Sequence, residues 1–254
     1  FNSGWTVDTI RDIQAQANGS YPPLMKNQEV IEVPVVQDTM TRRLTDYGVS
    51  FIRSNAGKRP FFLYFAHSMP HVPLHTDINF KGISGKGIYA DVIQEIDWSV
   101  GQIVSALSRH GVRNNTLIFF LSDNGPWRSY GNHGGNSGGL RGGKFDVWEG
   151  GFRVPAIASW PARMPRGKVN NHIISTIDIL PTLADIAGTK PSGRTIDGVN
   201  IIESLTGGVT DELGSRHLYY FLGSQLAAVR KSQWKYVFEH CLLYTSDAAD
   251  EHSW

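Results

Sequence analysis

A carboxylate and a carboxamide stand directly after an apolar run in the segment LIFFLSDNG, residues 117–125. Asp123 and Asn124 offer neighbouring side-chain oxygens, which are the ligands that a hard cation such as calcium takes in proteins. Asp-Asn-Gly is also a favourable turn sequence. The segment by itself therefore predicts either half of a calcium site or only a turn.

A lysine and two histidines extend this candidate chemistry. Lys144 lies in a glycine-rich loop at 125–151, and glycines let a backbone approach a ligand closely. A lysine there is a compact cation for an oxyanion. His67 and His71 follow the apolar run PFFLYFA. A metal pair, a lysine and a histidine at neighbouring loop ends outline a site for an ester of an oxyanion.

Periodic apolar residues predict the elements that position these side chains. Residues 1–33 are predicted to be irregular, and a first helix is expected to end before Gly57 and Pro60. A second helix is expected from about 87 to 110. A third is expected from 178 to 187, with Asp178 as its N-cap. The first helix has an apolar stripe of Met40, Leu44, Tyr47 and Phe51, and the second a stripe of Val92, Ile96, Val100, Ile103 and Leu107.

Three continuous apolar runs, at 60–66, 116–122 and 153–160, predict strands, the first two covered on both faces. Alternating strands and helices favour an α/β fold, with a mostly parallel sheet sandwiched by helices. Functional groups gather at the carboxyl ends of strands in such sheets. Short aromatic-rich runs at 217–239 predict a small antiparallel sheet.

Composition excludes several classes of protein. The chain of 254 residues has 24 Lys plus Arg and 23 Asp plus Glu, so its charge gives no reason to expect a nucleic-acid partner. No apolar run approaches the ~20 residues of a membrane span. A single cysteine, Cys241, excludes a disulfide scaffold and a cysteine-based zinc site. Two N-x-S/T sequons begin at Asn18 and Asn114.

The sequence resembles the sulfatases of arylsulfatase type, within the alkaline-phosphatase-like superfamily. The resemblance runs in order from about residue 22 to 239. The segments that carry it are PFFLYFAHSMPHVP, LIFFLSDNGP, LRGGKFDVWEGGFRVPAIASWP, STIDILPTLADIAG, DGVNI and AAVRKSQWKY.

The resemblance implies a role for each of these candidates except His67, which matches no functional position of the family. Asp123 and Asn124 would be two ligands of a calcium ion. Lys144 would contact a sulfate oxygen, and His71 would bind sulfate and protonate the departing alcohol. His133 would border the substrate. The implied partners are a sulfate-ester small molecule or a sulfated sugar, and the implied location is the periplasm or the outside of the cell.

Departures from the family pattern lead to a further expectation. Sulfatases use a formylglycine made in a C/S-x-P-x-R motif, which Cys241 and the residues after it do not match. The chain is therefore expected to be a C-terminal fragment that lacks the formylglycine motif and is inactive alone. Phe145 and Asp146 stand where small or hydroxylated residues are expected after the lysine.

The expected organisation is a partial catalytic domain at 1–205, the start of a small C-terminal subdomain at 206–240, and a non-native tail at 241–254. The tail resembles a translated sequencing adapter. Three other functions stay open at this point. They are a phosphodiesterase or phosphonate monoester hydrolase of the same superfamily, a pseudosulfatase that only binds, and a sugar-binding or structural α/β domain in which Asp-Asn-Gly is only a turn.

Overall fold

The computed structural model describes residues 23–191, 193, 195–208 and 212–238. These residues fall into two compact units. The first contains residues up to 114 together with 126–136, and the second contains 115–125 and the residues from 137 onward. The predicted tail at 241–254 and the sequon at Asn18 lie outside the described residues.

Two long helices form the centre of the first unit. They are α1 (Met40–Asn55) and α2 (Ile88–Arg109), close to the predicted bounds. The predicted apolar stripe of α1 is wrong, because its buried face is formed by Thr41, Thr45, Gly48, Ile52 and Asn55. Small side chains there allow close packing, and the hydroxyls of Thr45 and Ser99 lie 2.5 Å apart between the helices.

The prediction that the first apolar run forms a strand buried on both faces is wrong. Residues 60–67 have no regular secondary structure and join none of the described sheets. Their side chains alternate, so that Phe62 and Tyr64 are 67% and 74% exposed, whereas Phe61 packs edge-on against Phe51 of α1. An apolar run therefore does not show that both faces of a segment are buried. Here the protein covers only one face, and the other is exposed.

A short hairpin begins the described part of the chain, where an irregular segment was predicted. Strand β1 (Leu24–Lys26) pairs antiparallel with β2 (Glu29–Glu32). The turn between them begins at Asn27, which adopts a φ of 57°. Asparagine tolerates this left-handed conformation better than most residues, which explains how so short a turn closes. A 3₁₀ helix, Gln37–Thr39, leads from the hairpin into α1.

The second unit begins with a two-stranded ladder. Strand β3 (Ile118–Leu121) pairs antiparallel with β4 (Ala156–Ser159), and a 3₁₀ turn, Arg113–Asn115, precedes β3. One face of the ladder packs on a core formed by Ile201, Leu205 and Leu213. All strand pairings among the described residues are antiparallel, so the predicted parallel sheet is not found in them.

Four short helices follow: α3 (Glu149–Phe152), α4 (Ile179–Ile186), α5 (Ile202–Thr206) and α6 (Glu212–Ser215). Asp178 is the N-cap residue of α4 by position, as predicted, but its side chain makes no capping hydrogen bond to that helix. Ser175 caps a 3₁₀ turn at Thr176–Asp178, and the Asp178 carboxylate accepts the backbone N–H of Ser175. Asp178 is fully buried and forms an ion pair with Arg216 at 2.6 Å.

The predicted C-terminal antiparallel sheet is confirmed. Strands β5 (His217–Leu222), β6 (Gln225–Lys231) and β7 (Trp234–Val237) form a meander in sequence order. Its buried face packs around Val147, Tyr220, Ala227 and Ala228. Val147 belongs to the glycine-rich loop, so this sheet directly supports the segment that leads into α3.

Candidate functional site

The side chains of Asp123 and Asn124 follow β3 at the end of the ladder, as the sequence predicts. Asp123 Oδ1 accepts the backbone N–H of Asn124, and Asn124 Nδ2 donates to the Gly125 carbonyl at 2.8 Å. The segment is thus a turn, but these bonds leave Asp123 Oδ2 and Asn124 Oδ1 without a donor among the described residues. The turn therefore presents two oxygen acceptors.

Direct backbone contact joins this turn to α3. The Gly125 N–H donates to the Gly151 carbonyl at 2.8 Å. A Cβ atom added to Gly125 would overlap the carbonyl oxygen of Gly150. Glycine is required here because the two backbones touch, and not only because of its conformational freedom. The Asp-Asn-Gly turn and the Glu-Gly-Gly segment consequently form a single packed unit.

Gly150 and Gly151 also hold the loop that carries Lys144. The Gly150 N–H donates to the Arg141 carbonyl at 2.7 Å, and a Cβ on Gly151 would overlap the carbonyl oxygen of Asp146. Loop residues 141–146 therefore wrap against α3 on the side that also meets Gly125.

Lys144 itself is half-buried, with its Nζ 5.3 Å from the Phe145 ring. Phe145 has a φ of 73°, a backbone conformation that is strained for a residue with a large side chain. Asp146 Oδ2 accepts the N–H of Gly143 at 2.8 Å and closes the turn. The two residues that depart from the expected pattern thus shape the loop around the lysine.

The two histidine candidates lie in the other unit. His71 is half-buried, its Nδ1 lies 2.6 Å from the Val72 carbonyl oxygen, and its ring packs edge-on against Trp127 at 5.7 Å. His133 is exposed at the end of the 3₁₀ segment Arg128–His133. Trp127 also packs on Tyr130 at 4.6 Å, so His71 borders an aromatic pair, and Tyr130 belongs to the same 3₁₀ segment as His133.

The side-chain oxygens of Asp123 and Asn124 suit a hard cation but supply only some of the ligands that it needs. The carboxylate of Asp123 and the carboxamide of Asn124 are oxygen ligands of the kind that calcium binds, but calcium takes about 6–8 oxygens. No group of three or more His, Cys, Asp or Glu among the described residues could hold a metal ion. The residues present therefore fit one part of a calcium coordination sphere.

The residues SWPAR at 159–163 match the C/S-x-P-x-R pattern. The expectation that the chain contains no such sequence is therefore wrong. Ser159 pairs with Ile118 at the beginning of β3, whereas Asp123 follows the end of that strand. The ladder separates these ends by about 10 Å. We assign Ser159 no role in the candidate site.

Sequence reasoning missed the ion pairs that support the loop. Glu149 accepts Arg230 Nη1 at 2.6 Å and Lys235 Nζ at 3.2 Å. The partners are 81 and 86 residues away in the sequence, and no local pattern connects them.

Comparison with known proteins supplies the context of these residues. A family model described as Sulfatase matches residues 3–189. The chain is 38% identical over 225 residues to N-acetylgalactosamine-6-sulfatase of Canis lupus familiaris, covering 84% of this chain and 42% of that protein. It is 38% identical over 213 residues to steryl-sulfatase of Homo sapiens, covering 82% of this chain and 36% of that protein.

A solved structure, that of the PsFucS1 sulfatase from Pseudoalteromonas sp., matches the fold with a TM-score of 0.78 and 28% identity. The match covers 91% of this chain and 48% of that one. The chain thus spans about two fifths of the length of the curated relatives that it matches.

Proposed function

This chain belongs to the sulfatase family, and from that premise we propose that it forms part of an enzyme that hydrolyses sulfate esters. The observation that carries the proposal is the hydrogen bond between the Gly125 N–H and the Gly151 carbonyl. It ties the Asp123–Asn124 turn to the loop that carries Lys144. Metal ligands and a cation for an oxyanion therefore belong to one local structure.

In this proposal each residue contributes a separate part of the chemistry. Asp123 and Asn124 would hold part of the coordination sphere of a calcium ion, whose positive charge would stabilise the oxygens of the sulfo group. The Lys144 ammonium binds a sulfo oxygen and stabilises the negative charge that develops during the reaction. The formylglycine implied by the family would supply the attacking oxygen, and no residue of this chain is assigned to it.

His71 is proposed to protonate the departing alcohol. The Val72 carbonyl oxygen can only accept a hydrogen bond. The Nδ1 atom of His71 therefore carries a hydrogen and donates it to that oxygen. This bond orients the ring, and Nε2 is the nitrogen proposed to exchange the proton. His133 is proposed to border the leaving group, together with the aromatic side chains near His71.

The substrate is proposed to be a small sulfate ester or a sulfated sugar, and export to the periplasm or beyond the cell stays a prediction. Within the described residues, no helix combines the length and the apolar character that crossing a bilayer requires.

The decisive assay compares 4-nitrophenyl sulfate with bis(4-nitrophenyl) phosphate, using the product of the complete gene. We expect the sulfate ester to be the better substrate, and Lys144→Ala to lower kcat/KM by about a hundredfold or more. Lys168→Ala, at an exposed lysine, is the matched control and should leave hydrolysis unchanged. Faster turnover of the phosphodiester would instead support the phosphodiesterase alternative.

Calcium binding provides a separate test. Asp123→Ala should remove or weaken a calcium-binding event measured by calorimetry, because it deletes the charged ligand. Asp185→Ala, an exposed aspartate on α4, is the control. Equal calcium affinity in Asp123→Ala and the unmodified protein would mean that Asp-Asn-Gly is only a turn.

A further inference from the structure

Glu149 connects the Lys144 loop to the C-terminal sheet through a cluster of charges. Its carboxylate accepts Arg230 Nη1 at 2.6 Å and Lys235 Nζ at 3.2 Å. The side chains of Glu149, Arg230 and Lys235 are only 29%, 18% and 10% exposed. Solvent therefore screens these ion pairs less than it would screen pairs on an open surface.

The two cations are held together by this carboxylate. Arg230 and Lys235 face each other across β6 and β7, where like charges repel. Burial opposes ionisation of Glu149, but hydrogen bonds from both cations outweigh it, so the pKa of Glu149 is lowered. Lys235 Nζ also lies 3.6 Å from the centre of the Tyr220 ring. Glu149 thus offsets one of the two positive charges whose positions the sheet fixes.

Glu149 immediately precedes the backbone contacts that order the site. The next residue, Gly150, binds the Arg141 carbonyl, and Gly151 accepts the N–H of Gly125. Neither glycine has a side chain that could pack against the sheet. The carboxylate of Glu149 therefore anchors the chain to the sheet directly before both contacts.

Apolar contacts on either side of Glu149 provide further support. Val147 belongs to the buried cluster with Tyr220, Ala227 and Ala228, and the Phe152 ring meets Tyr220 edge-on at 4.7 Å. These contacts do not depend on charge. Loss of the Glu149 charge should consequently loosen the segment without unfolding it, which makes its role testable.

We propose that Glu149, Arg230 and Lys235 form a positioning cluster through which the C-terminal sheet fixes Lys144 relative to Asp123 and Asn124. The proposal rests on the proposed function in one respect, the role of Lys144 at the sulfo group. Glu149 contacts no reacting atom in this scheme and acts through the loop. The C-terminal sheet is then a required part of the site through this cluster, and the scheme assigns substrate binding to none of its residues.

A double-mutant cycle tests whether Glu149 acts through Lys144. In the product of the complete gene, Glu149→Gln should lower kcat/KM for 4-nitrophenyl sulfate by about tenfold to a hundredfold, as expected for a misplaced binding group. In the Lys144→Ala background the same change should have an effect of less than about twofold. Equal effects in both backgrounds would overturn the proposal. Glu203→Gln, at an exposed glutamate of α5, is the control.

Hydrogen exchange of the 254-residue chain tests the anchoring without any assay of activity. Glu149→Gln should speed exchange of the Gly125 and Gly150 amides, whose backbone bonds it loosens. Arg230→Met should act in the same direction, and Arg230→Lys should restore part of the protection because it keeps the charge. Unchanged exchange in Glu149→Gln and Arg230→Met would refute the positioning role.

The two proposals fail in different ways. If Lys144→Ala leaves hydrolysis of the sulfate ester unchanged, the role proposed for Lys144 is wrong, while faster amide exchange in Glu149→Gln would still support the anchoring of the loop. If Lys144→Ala abolishes hydrolysis and Glu149→Gln changes neither rate nor exchange, the proposed function stands and the positioning cluster is refuted.

Discussion

Protonation of His67 should destabilise the first unit as the pH falls. The Nδ1 atom of His67 is buried without a hydrogen-bond partner among the described residues, and its Nε2 lies 3.5 Å from the Ser99 hydroxyl. The Phe65 ring packs edge-on against it at 4.7 Å. Burial in these surroundings disfavours the charged imidazolium and lowers the pKa of His67 from 6.5 to about 4.

The sign and size of the effect follow from the two pKa values. Below pH 6.5 the unfolded chain binds a proton that the folded chain does not, so stability falls until the pH reaches about 4 and then levels off. The full interval corresponds to about 3 kcal/mol, at about 1.4 kcal/mol per pH unit. Between pH 7.5 and 5.0 the loss is about 2 kcal/mol.

Urea unfolding at pH 7.5 and 5.0 measures this difference. The unmodified chain should lose about 2 kcal/mol more than His67→Leu over that interval, because the variant cannot titrate at this position and shares all other groups. His110→Leu, at an exposed histidine after α2, should keep the full pH dependence. An identical loss in the unmodified chain and His67→Leu, or an NMR titration midpoint of His67 near 6.5, would refute the reasoning.

Four further substitutions test the packing of the fold, and chemical denaturation measures each of them. Arg216→Met should cost about 3–5 kcal/mol, because it leaves the fully buried carboxylate of Asp178 without its cation; a neutral effect would mean that Asp178 is otherwise compensated. Gly125→Ala should lower the free energy of unfolding by about 3 kcal/mol or more, because the added Cβ would overlap the facing backbone. Gly101→Ala, in open space on α2, should instead raise it by about 0.5–1 kcal/mol. Similar results for both variants would contradict the close approach at Gly125. Ile201→Ala should cost about 2–5 kcal/mol, because the side chain is completely buried, and a loss below 1 kcal/mol would show that the site collapses around the cavity.

Local sequence signals predicted a large part of the fold. Both long helices have nearly the predicted bounds, because a 3.6-residue period and Gly111 after α2 are local features. The hairpin spacing of 217–239 likewise predicted the C-terminal meander. The position of Asp123 and Asn124 directly after a strand, and of Lys144 in a glycine-rich loop, could also be inferred without coordinates.

Other features were decided only by tertiary contacts. The stripe of Met40, Leu44, Tyr47 and Phe51 is apolar, yet the smaller residues of α1 are the ones that face α2. The run at 60–66 has the composition of a strand, but a strand needs a hydrogen-bonded neighbour. Pairing direction also depends on which segments meet, and β3 meets β4 in antiparallel register.

The sequence alone determined which residue types are available for chemistry and the order in which strands, helices and glycine loops carry them. Only the tertiary structure revealed that Gly125 touches the Glu149–Gly151 segment and that Arg230 reaches Glu149. The physical reason is separation along the chain. Helix periodicity, caps and turns act over a few residues, whereas backbone contact between glycines and an ion pair across 81 residues exist only after the chain has folded.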